Sequence, residues 1–139
     1  MPGTRNNCLL HALTYNNGAP SDMVQLRQEI VRTACKHRDC DYEGIKLEAW
    51  VEITAEKPFD AWVQDFIEND EMSDQIVLRL WPLYRGESVW LWNVTQTGGY
   101  LHRRLCRFGD FPIVRHVCYR KDELHYNALE LREGISLDD

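Results

Sequence analysis

Two short stretches of the sequence combine residue types that can carry out thiol chemistry. In the first, NNCLLHAL (residues 6–13), Cys8 follows two asparagines at the start of an apolar pattern with helical spacing. Helix N-termini present unpaired backbone N–H groups and partial positive charge, which favour a thiolate. Cys8 is therefore a candidate nucleophile. The alternative is that it is a small buried apolar side chain, as most free cysteines are.

The second stretch, DELHYNAL (residues 122–129), supplies a candidate base. His125 stands at the head of the last predicted strand, and Asn127 follows two positions later. Because residues i and i+2 of a strand point to the same face, we expect the Asn127 amide to orient the His125 ring. Tyr126, which points the other way, is expected in the core. The alternatives are a turn or surface histidine and a turn asparagine.

The other four histidines lie in less suitable places. One follows Cys8 on the same helix, one lies in a polar loop, and two lie inside strand patterns whose neighbours alternate. They are His11, His37, His102 and His116. The sequence therefore predicts a cysteine–histidine–asparagine triad formed by Cys8, His125 and Asn127.

Apolar periodicity predicts that helices fill the first half of the chain. The predicted segments are 8–15, a longer helix that follows Pro20 with Ser21 as its N-cap, 45–53, 58–69, and 74–84 with Ser73 as its cap. The second helix has Val24, Ile30, Val31 and Ala34 at helical spacing, and the fourth has Trp62, Phe66 and Ile67 on one side. Pro82 is expected to kink or end the fifth.

From Ser88 the pattern becomes typical of strands. The predicted strands are SVWLWNVT, YLHRRLCRF after a turn at 98–99, PIVRHVCY, and YNALEL. Helices followed by strands, without β–α–β alternation, predict an α+β fold in which a helical first half packs on a small, mostly antiparallel sheet. Trp81, Trp90 and Trp92 are assigned to the core rather than to a ligand site.

Composition limits the classes of function. The chain has 139 residues, which predicts one domain over 1–139, and its net charge of −6 argues against binding to nucleic acid. It contains no apolar run long enough to span a membrane. Five cysteines, an odd number, without a secretory signal predict free thiols and a cytoplasmic protein.

Together, the two stretches resemble the signature blocks of the OTU (ovarian tumour) family of papain-like cysteine proteases, which are deubiquitinases. The first block of that family reads roughly Asp-Gly-Asn-Cys-Leu-Phe-Arg-Ala. It is matched here by Asn7, Cys8, Leu9 and Ala12. The second block is histidine, an aromatic residue, and aspartate or asparagine. It is matched by His125, Tyr126 and Asn127. The resemblance is to a divergent, compact member, similar to viral and bacterial ones.

A middle block of the family, Trp-Gly-Asp or Trp-Gly-Gly, opens a helix that leads into a strand. Here Met72, Ser73 and Asp74 open the fifth predicted helix, and only Asp74 matches literally. The sequence also departs from the family at Arg5 and Asn6, where the family usually has aspartate and glycine.

The resemblance implies a papain-like OTU fold and hydrolysis after the C-terminal glycine of ubiquitin or a ubiquitin-like modifier. Cys8 would be the nucleophile, His125 the base and Asn127 the residue that orients the base. Backbone N–H groups of Arg5, Asn6, Asn7 and Cys8 would form the oxyanion hole. It implies no metal and no cofactor. We expect a monomer in the cytosol, or in the host cytosol if the protein is a viral or bacterial effector.

Two other functions remain open from the sequence. The altered loop at Arg5 and Asn6 suggests a catalytically inactive ubiquitin-binding module. A third hypothesis is a zinc-stabilised interaction domain, since cysteine and histidine at short spacing bind zinc. Its ligands would be Cys35, His37 and Cys40, completed by one of Cys106, His116 and Cys118.

Overall fold

The computed structural model describes the chain from residue 7 to 128, with gaps at 16–21, 43, 70, 97–99 and 121–124. For residues 93–96, 100–105, 120, 125, 127 and 128 it describes the backbone only.

The described residues form five helices and six strands. The helices are α1 (Cys8–Thr14), α2 (Met23–Lys36), α3 (Leu47–Ala55), α4 (Phe59–Glu68) and α5 (Asp74–Arg85). The strands are β1 (Asp41–Tyr42), β2 (Ile45–Lys46), β3 (Ser88–Gln96), β4 (Tyr100–Phe108), β5 (Val114–Arg120) and β6 (His125–Ala128). All five helices precede β3, and the longer strands follow. The predicted α+β class is therefore confirmed.

The main sheet has the strand order β4-β3-β5-β6. β3 pairs antiparallel with β4 and parallel with β5, and β5 pairs antiparallel with β6. The sheet has two antiparallel pairings and one parallel pairing, so it is mostly antiparallel, as the sequence predicted. β4 ends beside Val89 and β5 begins beside Ser88, so the connection 109–113 crosses one end of β3 and β5 must run parallel to it.

Ser88 holds this crossing in place. Its backbone N–H donates to the Ile113 carbonyl at 2.8 Å. Its hydroxyl oxygen accepts from the Phe111 N–H at 2.7 Å and lies 3.1 Å from the Phe111 carbonyl, to which it donates. Ser88 is fully buried, so these bonds satisfy polar groups that water does not reach.

The core lies where the helices meet one another and one face of the sheet. α2 packs against α4 and α5, α5 packs against β3, and α1 packs against β6 and β5. The largest fully buried side chains include Trp62, Trp81, Phe59, Phe66, Leu26 and Ile30. Trp62 and Phe66 therefore face inward, as the spacing in α4 predicted.

The start of α2 differs from the sequence prediction. Asp22 is its N-cap, and the Asp22 carboxylate accepts hydrogen bonds from the N–H groups of Val24 at 2.9 Å and Gln25 at 3.4 Å. Ser21, which we expected in that role, lies outside the described residues. Val24 is 60% exposed, because the helix turns Leu26 and Arg27 toward the core instead.

Further differences concern short strands, a proline and a cap. Ile45 belongs to β2, which pairs with β1 in a small hairpin that the sequence analysis missed. Pro82 lies inside α5, and the helix continues past it to Arg85. Its C-cap residue, Gly86, has a left-handed backbone conformation. The Ser73 hydroxyl makes no capping bond and instead accepts from the Trp62 indole N–H at 3.0 Å.

No helix in the described part of the chain is long and apolar enough to cross a bilayer.

Candidate active site

The first helix and the last strand, which carry the predicted site residues, pack against each other. Cys8 is the first residue of α1 and His125 the first residue of β6. In the sheet, His125 pairs with Arg120, and Asn127 pairs with Cys118. The fold thus brings two segments from opposite ends of the chain side by side.

The strand that the orienting role of Asn127 requires is present. His125 and Asn127 lie two residues apart in β6, and the structure describes their backbone only. The approach of the His125 ring to the Cys8 sulfur therefore stays a prediction. The oxyanion-hole prediction at Arg5 and Asn6 falls outside the described residues.

Cys8 has features of both alternatives raised by the sequence. It opens a helix, as the reactive alternative requires. Its side chain is also only 2% exposed and belongs to the main apolar cluster, together with Leu9 and Tyr126. If Cys8 is the nucleophile, a substrate carbonyl can reach the sulfur only after the surrounding side chains open. The burial of Cys8 therefore separates the reactive alternative from the structural one.

Tyr126, between His125 and Asn127, is buried as predicted, with 5% of its surface exposed. Its hydroxyl donates to the Asp74 carboxylate at 2.8 Å, and its ring lies 4.9 Å from that of Tyr119. Burial, followed by the negative charge of Asp74, raises the pKa of Tyr126 far above its usual value. Asp74 is the residue that matches the middle block of the OTU family. It thus contacts β6, the strand that carries His125, Tyr126 and Asn127.

Asn7 precedes Cys8 and occupies the N-cap position of α1, but its side chain makes no capping bond. Instead its Oδ1 accepts from Arg27, at 3.2 Å from Nε and 2.9 Å from Nη2. Arg27 is 1% exposed. The sequence analysis missed this residue, although the apolar spacing of α2 could have revealed it, since Arg27 is followed by Val31 and Ala34 on the buried face.

The zinc hypothesis gains no support from the structure. Cys35 and Cys40 are exposed, and the His37 ring nitrogen Nδ1 lies 2.9 Å from the Thr33 carbonyl on its own helix. Within the described ranges, no three histidine, cysteine, aspartate or glutamate side chains are grouped so that they could hold a metal ion.

Of the three tryptophans assigned to the core, Trp81 and Trp92 are buried, whereas Trp90 is half-buried and packs against Trp92. Trp81 is fully buried and its indole N–H donates to the Glu87 carboxylate at 2.9 Å. Trp92 is 7% exposed and donates to the Nδ1 atom of His116 at 3.0 Å. Their indole N–H groups are thus satisfied within the protein, as buried indoles require.

Comparison with known proteins supports the fold through structure and not through sequence. No known family matches the sequence, and no curated protein matches it. Among solved structures, the Hazara virus OTU bound to ubiquitin matches with a TM-score of 0.56. The match covers 92% of this chain and 77% of that chain, at 19% sequence identity.

The fold is OTU-like. This confirms the architecture that the sequence blocks implied, with a helical first half on a small sheet. Because unrelated activities recur on shared folds, the likeness by itself identifies no reaction. The chemistry of this OTU-like chain has to be argued from its own residues.

Proposed function

We propose that this protein is a cysteine-type deubiquitinase that hydrolyses the (iso)peptide bond after the C-terminal glycine of ubiquitin or a ubiquitin-like modifier. The observation that carries the proposal is the packing of α1, which begins at Cys8, against β6, which begins at His125. The likeness to the Hazara virus OTU bound to ubiquitin supports the choice of modifier.

In the proposed mechanism, His125 accepts the proton of the Cys8 thiol while the sulfur attacks the carbonyl carbon of the terminal glycine. The tetrahedral intermediate collapses as the C–N bond breaks, and His125 returns the proton to the leaving amine. Asn127 holds the ring in the orientation that both transfers need. Water, deprotonated by His125, then hydrolyses the thioester and restores the thiol.

The oxyanion of the intermediate needs hydrogen-bond donors. We assign this role to the backbone N–H groups of Arg5, Asn6, Asn7 and Cys8. In comparable sites one such donor stabilises the transition state by about 2.7–4 kcal/mol. This role uses only the backbone, so the replacement of the family's aspartate and glycine by Arg5 and Asn6 changes the loop without removing its donors.

The proposed partner also fits the charge of the chain. The C-terminal tail of ubiquitin carries arginines, and the net charge of −6 favours encounter with a basic segment. We propose that the protein acts as a monomer in the cytosol, or in the cytosol of a host, on ubiquitin conjugates rather than on nucleic acid or membranes, and without a metal or other cofactor.

A second candidate function is a catalytically inactive ubiquitin-binding module. The specific observation that favours it is the burial of the Cys8 side chain, which is 2% exposed. The departures at Arg5 and Asn6 favour it as well. This candidate keeps ubiquitin as the partner and removes only the chemistry.

A ubiquitin probe with an electrophile in place of its C-terminal carboxylate separates the two candidates. The deubiquitinase forms a covalent adduct that is lost in Cys8→Ala. Cys118→Ala, which removes another buried cysteine, is the matched control and should react like the wild type. Binding of ubiquitin without any adduct would contradict the enzyme and support the module. Matched probes of other modifiers, tested in parallel, identify the preferred one.

A further inference from the structure

Arg27 is a buried cation whose contacts converge on the start of α1. It lies near the beginning of α2, with 1% of its surface exposed. Removing a guanidinium from water is unfavourable unless its N–H groups find acceptors inside the protein. The acceptors of Arg27 therefore indicate which parts of the chain it holds together.

Two of these acceptors fix Arg27 to the last turn of α4 and to the segment that follows it. Its Nη1 donates to the carbonyl of Phe66 at 2.8 Å and to that of Glu71 at 2.7 Å. The Phe66 carbonyl belongs to the last turn of α4, where carbonyls lack a partner within the helix and a cation is favourable. The guanidinium carbon also lies 4.4 Å from the centre of the Phe66 ring.

A further acceptor is the side chain of Asn7. Two nitrogens of Arg27, Nε at 3.2 Å and Nη2 at 2.9 Å, donate to the same oxygen, Oδ1. Asn7 is the N-cap residue of α1 and directly precedes Cys8. Because Asn7 Oδ1 accepts from Arg27, the start of α1 is joined through Arg27 to α2 and to the last turn of α4.

We propose that Arg27 is a positioning residue for Cys8, an inference that rests on the proposed thiol chemistry. By holding the Asn7 side chain, it fixes the backbone from which the Cys8 side chain projects. It also fixes the Asn7 and Cys8 N–H groups that the mechanism uses. Arg27 does not touch the substrate. A displacement of about 1 Å at a reacting group lowers a rate on the order of 100-fold, so this connection matters for turnover.

The connection is best tested at Asn7. Replacing Arg27 would also leave the Phe66 and Glu71 carbonyls without their donor and would weaken the fold itself. Asn7→Ala removes the acceptor at the start of α1 and leaves the Phe66 and Glu71 carbonyls bonded to Arg27. Asn69→Ala is the matched control, since Asn69 is an exposed helix C-cap whose amide bonds only to Asp65 on its own helix among the contacts described.

We expect Asn7→Ala to lower kcat for hydrolysis of a fluorogenic ubiquitin amide on the order of 100-fold. KM should stay close to that of Asn69→Ala. The melting temperature should fall, because two N–H groups of the buried Arg27 lose their acceptor, so kcat is compared per mole of folded protein. Asn7→Asp, which restores an acceptor for Arg27, should recover most of the lost rate. Wild-type kcat in Asn7→Ala would overturn the proposal, as would a fall in kcat explained by an equal loss of folded protein.

Amide hydrogen exchange gives a second measurement that does not depend on activity. In Asn7→Ala, α1 loses its hydrogen bonds to Arg27, so its backbone amides should exchange faster. The amides of α2 and α4 should keep wild-type exchange rates. If the wild type proves inactive toward every probe, the deubiquitinase proposal fails and this measurement decides the role of Arg27. Unchanged exchange in α1 would then overturn the anchoring role.

Discussion

The Tyr126 hydroxyl donates a hydrogen bond of 2.8 Å to the Asp74 carboxylate. Tyr126 lies between His125 and Asn127 in β6, and Asp74 is the first residue of α5. β6 is the outermost strand on its side of the sheet and pairs only with β5 among the described strands. This hydrogen bond therefore attaches the strand of the candidate base to α5, in addition to its pairing with β5 and its packing against α1.

Removing the hydroxyl should cost stability without changing the fold. We expect Tyr126→Phe to lower the free energy of unfolding by about 1.5–3 kcal/mol, the range for hydrogen bonds to charged groups. Asp74→Asn keeps an acceptor for the hydroxyl and should cost less. Urea unfolding followed by circular dichroism measures both variants. An equal loss in the two would contradict this account of the bond.

The same tyrosine should make stability sensitive to alkaline pH. Burial and Asp74 raise the pKa of Tyr126 in the folded state, whereas in the unfolded chain a tyrosine titrates near pH 10. A raised pKa means that the stabilising contribution is complete below about pH 10 and falls as pH rises above it. The stability difference between wild type and Tyr126→Phe should therefore be smaller at about pH 11 than at about pH 9. A constant difference across this range would contradict the prediction.

Gly109, in the connection that crosses the end of β3, should not tolerate a side chain. Its φ is +86°, and an added Cβ would lie 2.8 Å from Cβ of Pro82 and 2.9 Å from its Cγ. Gly44 is the matched control, because its φ is +90° and nothing lies within 4 Å of an added Cβ. We expect both alanine variants to lose about 1–2 kcal/mol from the backbone, and Gly109→Ala to lose about 1–3 kcal/mol more from the clash.

Thermal unfolding of the two alanine variants measures this difference directly. The additional loss in Gly109→Ala reports how tightly α5 and the crossing segment pack. Equal melting temperatures for Gly44→Ala and Gly109→Ala would mean that Pro82 moves away at little cost, and would contradict the rigid crossing described above.

Under the proposed mechanism, His125 and Asn127 should affect turnover to different extents. His125→Ala removes the proton carrier and should abolish measurable hydrolysis of a fluorogenic ubiquitin amide. Asn127→Ala leaves the ring in place with less control of its orientation, so we expect a partial loss, on the order of 100-fold in kcat. His37→Ala, at the C-cap of α2, is the control and should keep wild-type kcat. Hydrolysis by His125→Ala at the rate of the control would rule out the triad.

Local patterns predicted the elements well because each one depends on its own residues. The spacing of Trp62 and Phe66 predicted the buried face of α4, and β-branched and aromatic residues predicted all four strands of the main sheet. The parallel pairing of β3 with β5 was not predicted. It depends on where β4 ends relative to Ser88, which is a property of tertiary packing and not of any one strand.

The candidate site was predictable in part. The positions of Cys8 at a helix start and of His125 at a strand start followed from sequence and are present in the structure. The burial of Cys8 and the role of Arg27 did not follow, because both depend on contacts between distant segments. A cation on the apolar face of α2 was a visible signal for Arg27, but only the fold reveals that its acceptors include Asn7, Phe66 and Glu71.

The pairing of α1 with β6 also has a consequence for biosynthesis. α1 leaves the ribosome before all the other elements described here, and β6 leaves after all of them. A nascent chain can therefore collapse its helices and begin its sheet while the proposed chemistry is still impossible. Cleavage just ahead of β6 would likewise detach the proposed base from a chain whose other described elements were already complete.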